Sequence, residues 1–165
     1  MKWLAKILAW YFKWRYENKK PDFVITGKGN TPYMYRWWVI PRNKLFNIYL
    51  HKVVADDERH FHDHPWNSLG FILEGSYMEY IPYHQPKDRK LLDNAFRCNF
   101  LEQGVFQYRD TTYSHYLIQF SIIPVWSLFF TGPKKRTWGF YHRETRKWID
   151  HVTWCKMYDK EVSYE

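Results

Sequence analysis

A chain of 165 residues fits one domain and is long enough to bury a core without disulfide staples. Two cysteines, Cys98 and Cys155, far apart and outside any CxxC pair, exclude a disulfide framework and a zinc knuckle, and with no signal peptide in view the expected compartment is a reducing cytoplasm. Twenty-five basic residues against 17 acidic ones give +8, compatible with a nucleic-acid or membrane partner and equally with an enzyme acting on an anionic substrate, so charge alone excludes none of these.

Residues 3 to about 17 are predicted helical. Trp3, Leu4, Ile7, Leu8, Tyr11 and Trp14 recur at helical spacing, with Lys2, Lys6, Lys13 and Arg15 around them. The apolar stretch is shorter than the roughly 20 residues that a bilayer span requires. Two readings of this amphipathic, basic segment stay open: a helix docked on the outside of a barrel, or one lying in a membrane interface. Lys19, Lys20 and Pro21 end it, separating residues 1–20 from a single barrel domain expected over 21–165.

Beyond Pro21 the pattern changes to short β-rich runs punctuated by Gly, Pro and Asn, in keeping with an aromatic content of 22%. Strands are predicted at Met34 to Ile40, Leu45 to Val54, Asn67 to Glu74, Ser76 to Ile81, Asn99 to Glu102, Val105 to Tyr108, His115 to Ser121, Trp126 to Phe130 and Thr137 to His142. Glu74-Gly75-Ser76 reads as a tight hairpin and Tyr83 to Leu92 as a surface loop. No further helix is expected. Short strands with tight turns point to a sandwich or barrel.

The chemically informative stretch is Arg59-His60-Phe61-His62-Asp63-His64-Pro65-Trp66, with three histidines at alternate positions. In an extended chain alternate side chains share a face, so two of them can chelate one ion from neighbouring pleats. A single segment cannot surround a metal, and a third donor must come from another strand. His115 is the best candidate, because it opens an alternating run with Leu117 and Gln119. Neutral imidazole is a common ligand for zinc, iron, copper and nickel. An ionic surface patch with Asp57, Arg59 and Asp63 is the competing interpretation.

The segment resembles the first motif of the cupin family, H-x-H, three or four residues, Glu, six residues, Gly. His62 and His64 take the pair, Ser68 the Glu position and Gly75 the closing glycine; His60 with His62 does not fit, which leaves His60 beside the site. The family's later motif is echoed by Gly104, His115 and Gln119, the last at an Asn position, without the usual Pro-Gly turn before His115. More narrowly, Tyr49-Leu50-His51, Phe61-His62-Asp63-His64-Pro65-Trp66, Ser68, Thr131-Gly132-Pro133-Lys134-Lys135-Arg136 and Trp138-Gly139-Phe140 resemble uncharacterised bacterial and phage-encoded cupin-like proteins, over about residues 45–150. The resemblance implies an all-β fold, the cupin double-stranded β-helix or jelly-roll barrel, with the N-terminal α-helix attached.

Ser68 in place of the acid leaves a neutral three-histidine set, His62, His64 and His115, for one divalent metal ion, Fe(II) ahead of Zn(II) or Mn(II). Such a set keeps coordination positions open and resembles that of thiol dioxygenases, themselves cupins. Residues expected to support the ligands or line a substrate pocket are His51, His60, Ser68, Tyr49, Arg109 and Gln119, with Asn47, Tyr108 and the basic run Lys134 to Arg136 near the barrel mouth. The expected function is a metal-dependent, oxygenase-like cupin enzyme for a small anionic substrate; the alternative is a non-catalytic module that binds or sequesters a small anionic ligand or nucleotide. No residue is singled out as catalytic. A homodimer and membrane-surface contact by the N-terminal helix are compatible with the sequence. No nucleic-acid recognition motif accompanies the charge, and no phosphate loop or nucleophile elbow is present.

Overall fold

The computed structural model describes residues 1–27, 31–57 and 59–158. A helix, α1 (Lys2–Tyr16), leads into β1 (Phe23–Thr26), β2 (Pro32–Trp38), β3 (Asn47–Val53), β4 (Ser68–Glu74) and β5 (Ser76–Pro82). Then follow β6 (Phe96–Glu102), β7 (Phe106–Arg109), β8 (Tyr116–Gln119) and β9 (Val125–Thr131). A ribbon of β10 (Gly139–Tyr141) and β11 (Trp148–Asp150) and a short helix, α2 (His151–Met157), come last. A six-stranded sheet in the order β1-β2-β3-β9-β4-β7 packs against a three-stranded sheet in the order β6-β5-β8, all pairs antiparallel. These two sheets form the expected jelly-roll barrel.

Two cores cover both faces of the large sheet. Inside the barrel Met34, Val53, Ile72 and Val125 meet Tyr77 and Leu101 of the small sheet. Outside it, Trp37, Leu50, Phe71, Leu73, Trp126 and Leu128 receive Ala5, Ala9 and Phe12 of α1. Strand β3 is covered on both faces: Leu50 faces α1 while Tyr49, His51 and Val53 face inward. The small side chains of Ala5 and Ala9 bring the helix axis close to the sheet, where Trp37 stacks on Trp126 at 5.7 Å. Helix α1 is therefore docked through one face on the barrel's outer wall. Among the described residues no helix is long and apolar enough to cross a membrane.

The hairpin between β4 and β5 forms at Gly75, whose φ is +79°. A Cβ there would stand 3.0 Å from Ser121 Oγ and 3.1 Å from Pro124 O, so both conformation and space call for glycine. Three elements were not expected from the sequence: β1, β11 and α2. Strand β1 is a short edge strand of the large sheet and β11 one half of the ribbon, neither with a clear alternation. Helix α2 has seven residues, too few for a periodic signal, and is held at its start by the Asp150 side chain, which accepts from Thr153 N.

Candidate metal centre

The HDH segment runs extended into β4 and is clamped on both sides. His62 and His115 exchange backbone hydrogen bonds of 2.9 and 3.0 Å, which fixes a residue from before β4 directly opposite one from before β8. Alternation then sorts the side chains. Asp63 turns away from the barrel and is fully buried, accepting from Arg136 at 2.8 Å, from Gly139 N at 2.8 Å and from Trp148 Nε1 at 3.2 Å. Burial lifts its carboxyl above the ordinary range, against the pull of Gly139 N–H and Arg136. This anchor ties the β10–β11 ribbon to the segment. A side chain at Gly139 would collide with Ile149 O, which lets the ribbon lie this close.

His62 and His64 point the other way, into the barrel. Together with His115 they offer three ring nitrogens, all within 4.8 Å of one another. His64 Nε2 and His115 Nε2 stand 3.0 Å apart, and two nitrogens bonded at about 2.1 Å and at right angles to one ion would stand about 3 Å apart. His62 is 9% exposed and His115 3%. Burial is the main reason that both ring pKa values are lowered to about 4, with Arg109 adding repulsion; His64 is held well below 6.5 by burial and by its two neighbours. All three rings are neutral at pH 7, the state in which imidazole ligates a cation.

Behind the ligands sits a residue to which the sequence reasoning assigned no role. Glu79, on the inward face of β5, is completely buried. Its Oε1 lies 2.7 Å from His115 Nδ1 and 2.7 Å from both Nε and one terminal nitrogen of Arg109, and its Oε2 accepts from Tyr113 OH at 3.0 Å. Burial pushes the carboxyl up, but Arg109 and His115 outweigh it and bring it down to about 2. An ionised carboxylate at Nδ1 fixes the proton on that nitrogen and leaves Nε2 as the free donor, the arrangement that orients metal-binding histidines. On the other side, His62 Nδ1 lies 3.5 Å from Asp57 Oδ2 and 3.4 Å from His60 O, which likewise leaves its Nε2 for the centre. The donor set fits a divalent ion.

The cluster opens into a cavity of about 210 Å³, lined also by Arg36, His51, Tyr33, Tyr77, Asp57, Gly70, Arg109, Phe129 and Trp138. Arg36 Nε donates to His51 Nε2 at 2.9 Å, the guanidinium lying over the Tyr49 ring at 4.8 Å. His51 therefore supports Arg36, not a ligand histidine, and burial with the neighbouring cation holds its ring well below 6.5. Arg109 lines the cavity, and its charge is held by Glu79.

The other residues singled out from the sequence are not part of the three-histidine group. His60 packs edge-on against Trp154 at 4.8 Å. Gln119 spends its amide on Ser121 O and Ile123 O. Ser68 is buried at the start of β4, level with Arg109 and Thr131, while Gly70, two residues on, lines the cavity. Asn47 braces the preceding loop through Asn43, Tyr108 is 58% exposed, and Arg136 belongs to the Asp63 anchor.

The histidines also set a pH dependence. Their folded pKa values are depressed, so protonation favours the unfolded chain. Their contribution to stability is complete above about 6.5 and is lost as the pH falls toward 4. Glu79, depressed from 4.5 to about 2, extends the loss further down. The metal-free protein should show a level denaturant midpoint from about pH 8 to 7 and lose several kcal/mol between about pH 6.5 and 4, since each tenfold change in a group's proton affinity on folding is worth about 1.4 kcal/mol. Guanidinium titrations across that range measure it.

No known protein family and no curated protein sequence matches the chain. Solved structures do match. The crystal structure of the DMSP lyase DddQ from Ruegeria pomeroyi DSS-3 aligns with a TM-score of 0.53 at 15% identity, over 73% of this chain and 58% of the lyase. The polyketide cyclase RemF from Streptomyces resistomycificus aligns with a TM-score of 0.53 at 13% identity, over 69% of this chain and 75% of the cyclase. An uncharacterized conserved protein with a double-stranded β-helix domain from Klebsiella pneumoniae aligns with a TM-score of 0.50 at 14% identity, over 74% of this chain and 93% of its own. The chain thus spans little more than half of the lyase and nearly all of the Klebsiella protein. Fold and cluster together define a class: a double-stranded β-helix, the cupin fold, with three histidines gathered inside the barrel.

Proposed function

We propose that the protein is a metal-dependent enzyme that holds one divalent ion on His62, His64 and His115 and acts on a small anionic substrate, with oxygenase-like chemistry of the thiol-dioxygenase type the favoured class. The observation that carries this reading is the convergence of three neutral imidazoles on a cavity, with an ionised carboxylate behind one of them. When bound, the ion supplies Lewis acidity and open coordination positions, and iron adds redox chemistry.

The chain's own residues do the rest. Glu79 and Asp57 orient His115 and His62, and the apolar walls of Phe129 and Trp138 limit the water around the rings. Among the cavity's fixed charges, Arg109 is balanced by Glu79, and Arg36 shares the wall with Asp57. The pairs roughly cancel, so the charge of the ion sets the sign of the pocket and selects anions. The cavity's size suits a ligand of a few heavy atoms.

Elemental analysis of protein purified without an affinity tag tests the reading. One equivalent of Fe, Mn or Zn per chain is expected, with oxygen uptake when the iron form meets small thiols bearing a carboxylate. A folded protein that takes up none of these metals overturns it and favours the ligand-binding module.

A further inference from the structure

The barrel and its cluster leave one surface without a role, the outer side of α1. Ala5, Ala9 and Phe12 face the sheet, yet the opposite side of the same helix is also apolar. Trp3, Trp10 and Trp14 are 67%, 69% and 70% exposed, and Ile7 is 54% exposed. Positions 3, 7, 10 and 14 advance by four, three and four residues, so they form one continuous stripe. Trp10 and Trp14 stack with ring centroids 6.5 Å apart.

The stripe has a basic border. At about 100° per residue, Lys2, Lys6 and Lys13 fall together along one edge and Arg15 along the other, and α1 contains no acidic residue. Lys2 and Lys13 reach down to Glu102 and Glu74 on the barrel, while Lys6 and Arg15 are exposed; after the helix, Glu17 faces Lys52 and the exposed Lys19 and Lys20 follow Asn18.

An apolar stripe edged with cations fits one kind of partner better than any other. Indole rings carry an apolar body and a polar N–H and favour the boundary between hydrocarbon and headgroups. Lysine and arginine along the edge complement lipid phosphates. A second copy of the same face would bring basic borders together, which opposes self-association. The inner face is already bound to the barrel, so the helix can only lie flat on a surface.

We propose that α1 is an interfacial anchor: the Trp3, Ile7, Trp10 and Trp14 stripe enters the headgroup region of an anionic phospholipid bilayer, with Lys6 and Arg15 against the phosphates and the barrel resting on the membrane. The proposal does not rest on the metal centre.

Sedimentation of the full chain with sucrose-loaded vesicles of phosphatidylglycerol and phosphatidylcholine tests it. The wild type should pellet with the vesicles, less so as salt is raised. The Trp3→Ala/Trp10→Ala/Trp14→Ala variant should stay in the supernatant, its partition coefficient down by about tenfold or more as apolar area is lost. Lys6→Glu/Arg15→Glu should lose binding to the anionic vesicles. These positions are exposed, and far-UV circular dichroism checks that each variant is folded. A wild type that remains in the supernatant overturns the proposal, as does a tryptophan variant that pellets as well as the wild type. Light scattering that shows a dimer broken by the tryptophan substitutions, without vesicle binding, overturns it in favour of a contact between copies.

Discussion

His64→Ala should leave a folded protein that no longer holds its metal. His64 lies in the extended segment before β4 and is only partly buried. Its ring packs near Trp138 and Phe129, and its Nε2 faces His115 Nε2. Unlike Glu79 or Asp63 it holds no buried charge in place, so its loss enlarges the cavity without stranding an ion. The structural cost should be small, while two imidazoles are left to do the work of three. Altering a residue behind a ligand already costs about 10–100-fold in metal affinity, so removing a ligand should cost more than about 100-fold. Competition with a chromophoric chelator measures this directly. His60→Ala is the matched control: its ring packs on Trp154 and is not one of the three donors, and the metal content should not change. Wild-type metal content in His64→Ala would sink the three-histidine site.

The pair of histidines in the HDH segment was legible because an extended chain has a period of two, and the same rule put Asp63 on the opposite face. What lay beyond reach was the purpose of Asp63, since Arg136, Gly139 and Trp148 are more than seventy positions away and only the folded chain brings them to it. His115 was legible from its position at the start of a strand; its backbone pairing with His62 was not. Glu79 could have been found. Within β5 it alternates with Tyr77 and Ile81, both buried, and a single acid on the apolar face of a strand needs a partner. The cupin-like motif places its acid at position 68 instead, where this chain has a serine.

Helix α1 shows the limit of periodicity from the other side. Trp3, Ile7 and Trp14 recur at helical spacing, and the helix is there, but the residues that bury against the sheet are the smaller Ala5 and Ala9 with Phe12, while the tryptophans point outward. A helix apolar on two faces has no single moment to read. The choice was settled by fit: alanines allow close approach to Trp37 and Trp126, which indoles at those positions would prevent.

Substitutions at Glu79 should separate stability from metal binding. Glu79→Ala leaves the Arg109 guanidinium, 3% exposed, without its counter-ion. Breaking a buried pair from one side costs about 3–5 kcal/mol, and loss of the Tyr113 contact adds to it. Glu79→Gln keeps the volume and one acceptor and should cost less, about 1–3 kcal/mol. Removing both charges in Glu79→Leu/Arg109→Leu should recover much of the stability, because two apolar side chains carry no stranded ion. Metal affinity should not follow. In every one of these variants His115 Nδ1 loses the carboxylate that fixes its tautomer and aims Nε2 at the centre, so affinity should stay about 10–100-fold down even where the denaturant midpoint has returned. Urea titrations and chelator competition on the same samples read the two effects separately. If the double variant regains wild-type affinity along with its stability, Glu79 is a counterweight to Arg109 and not a positioning residue for His115.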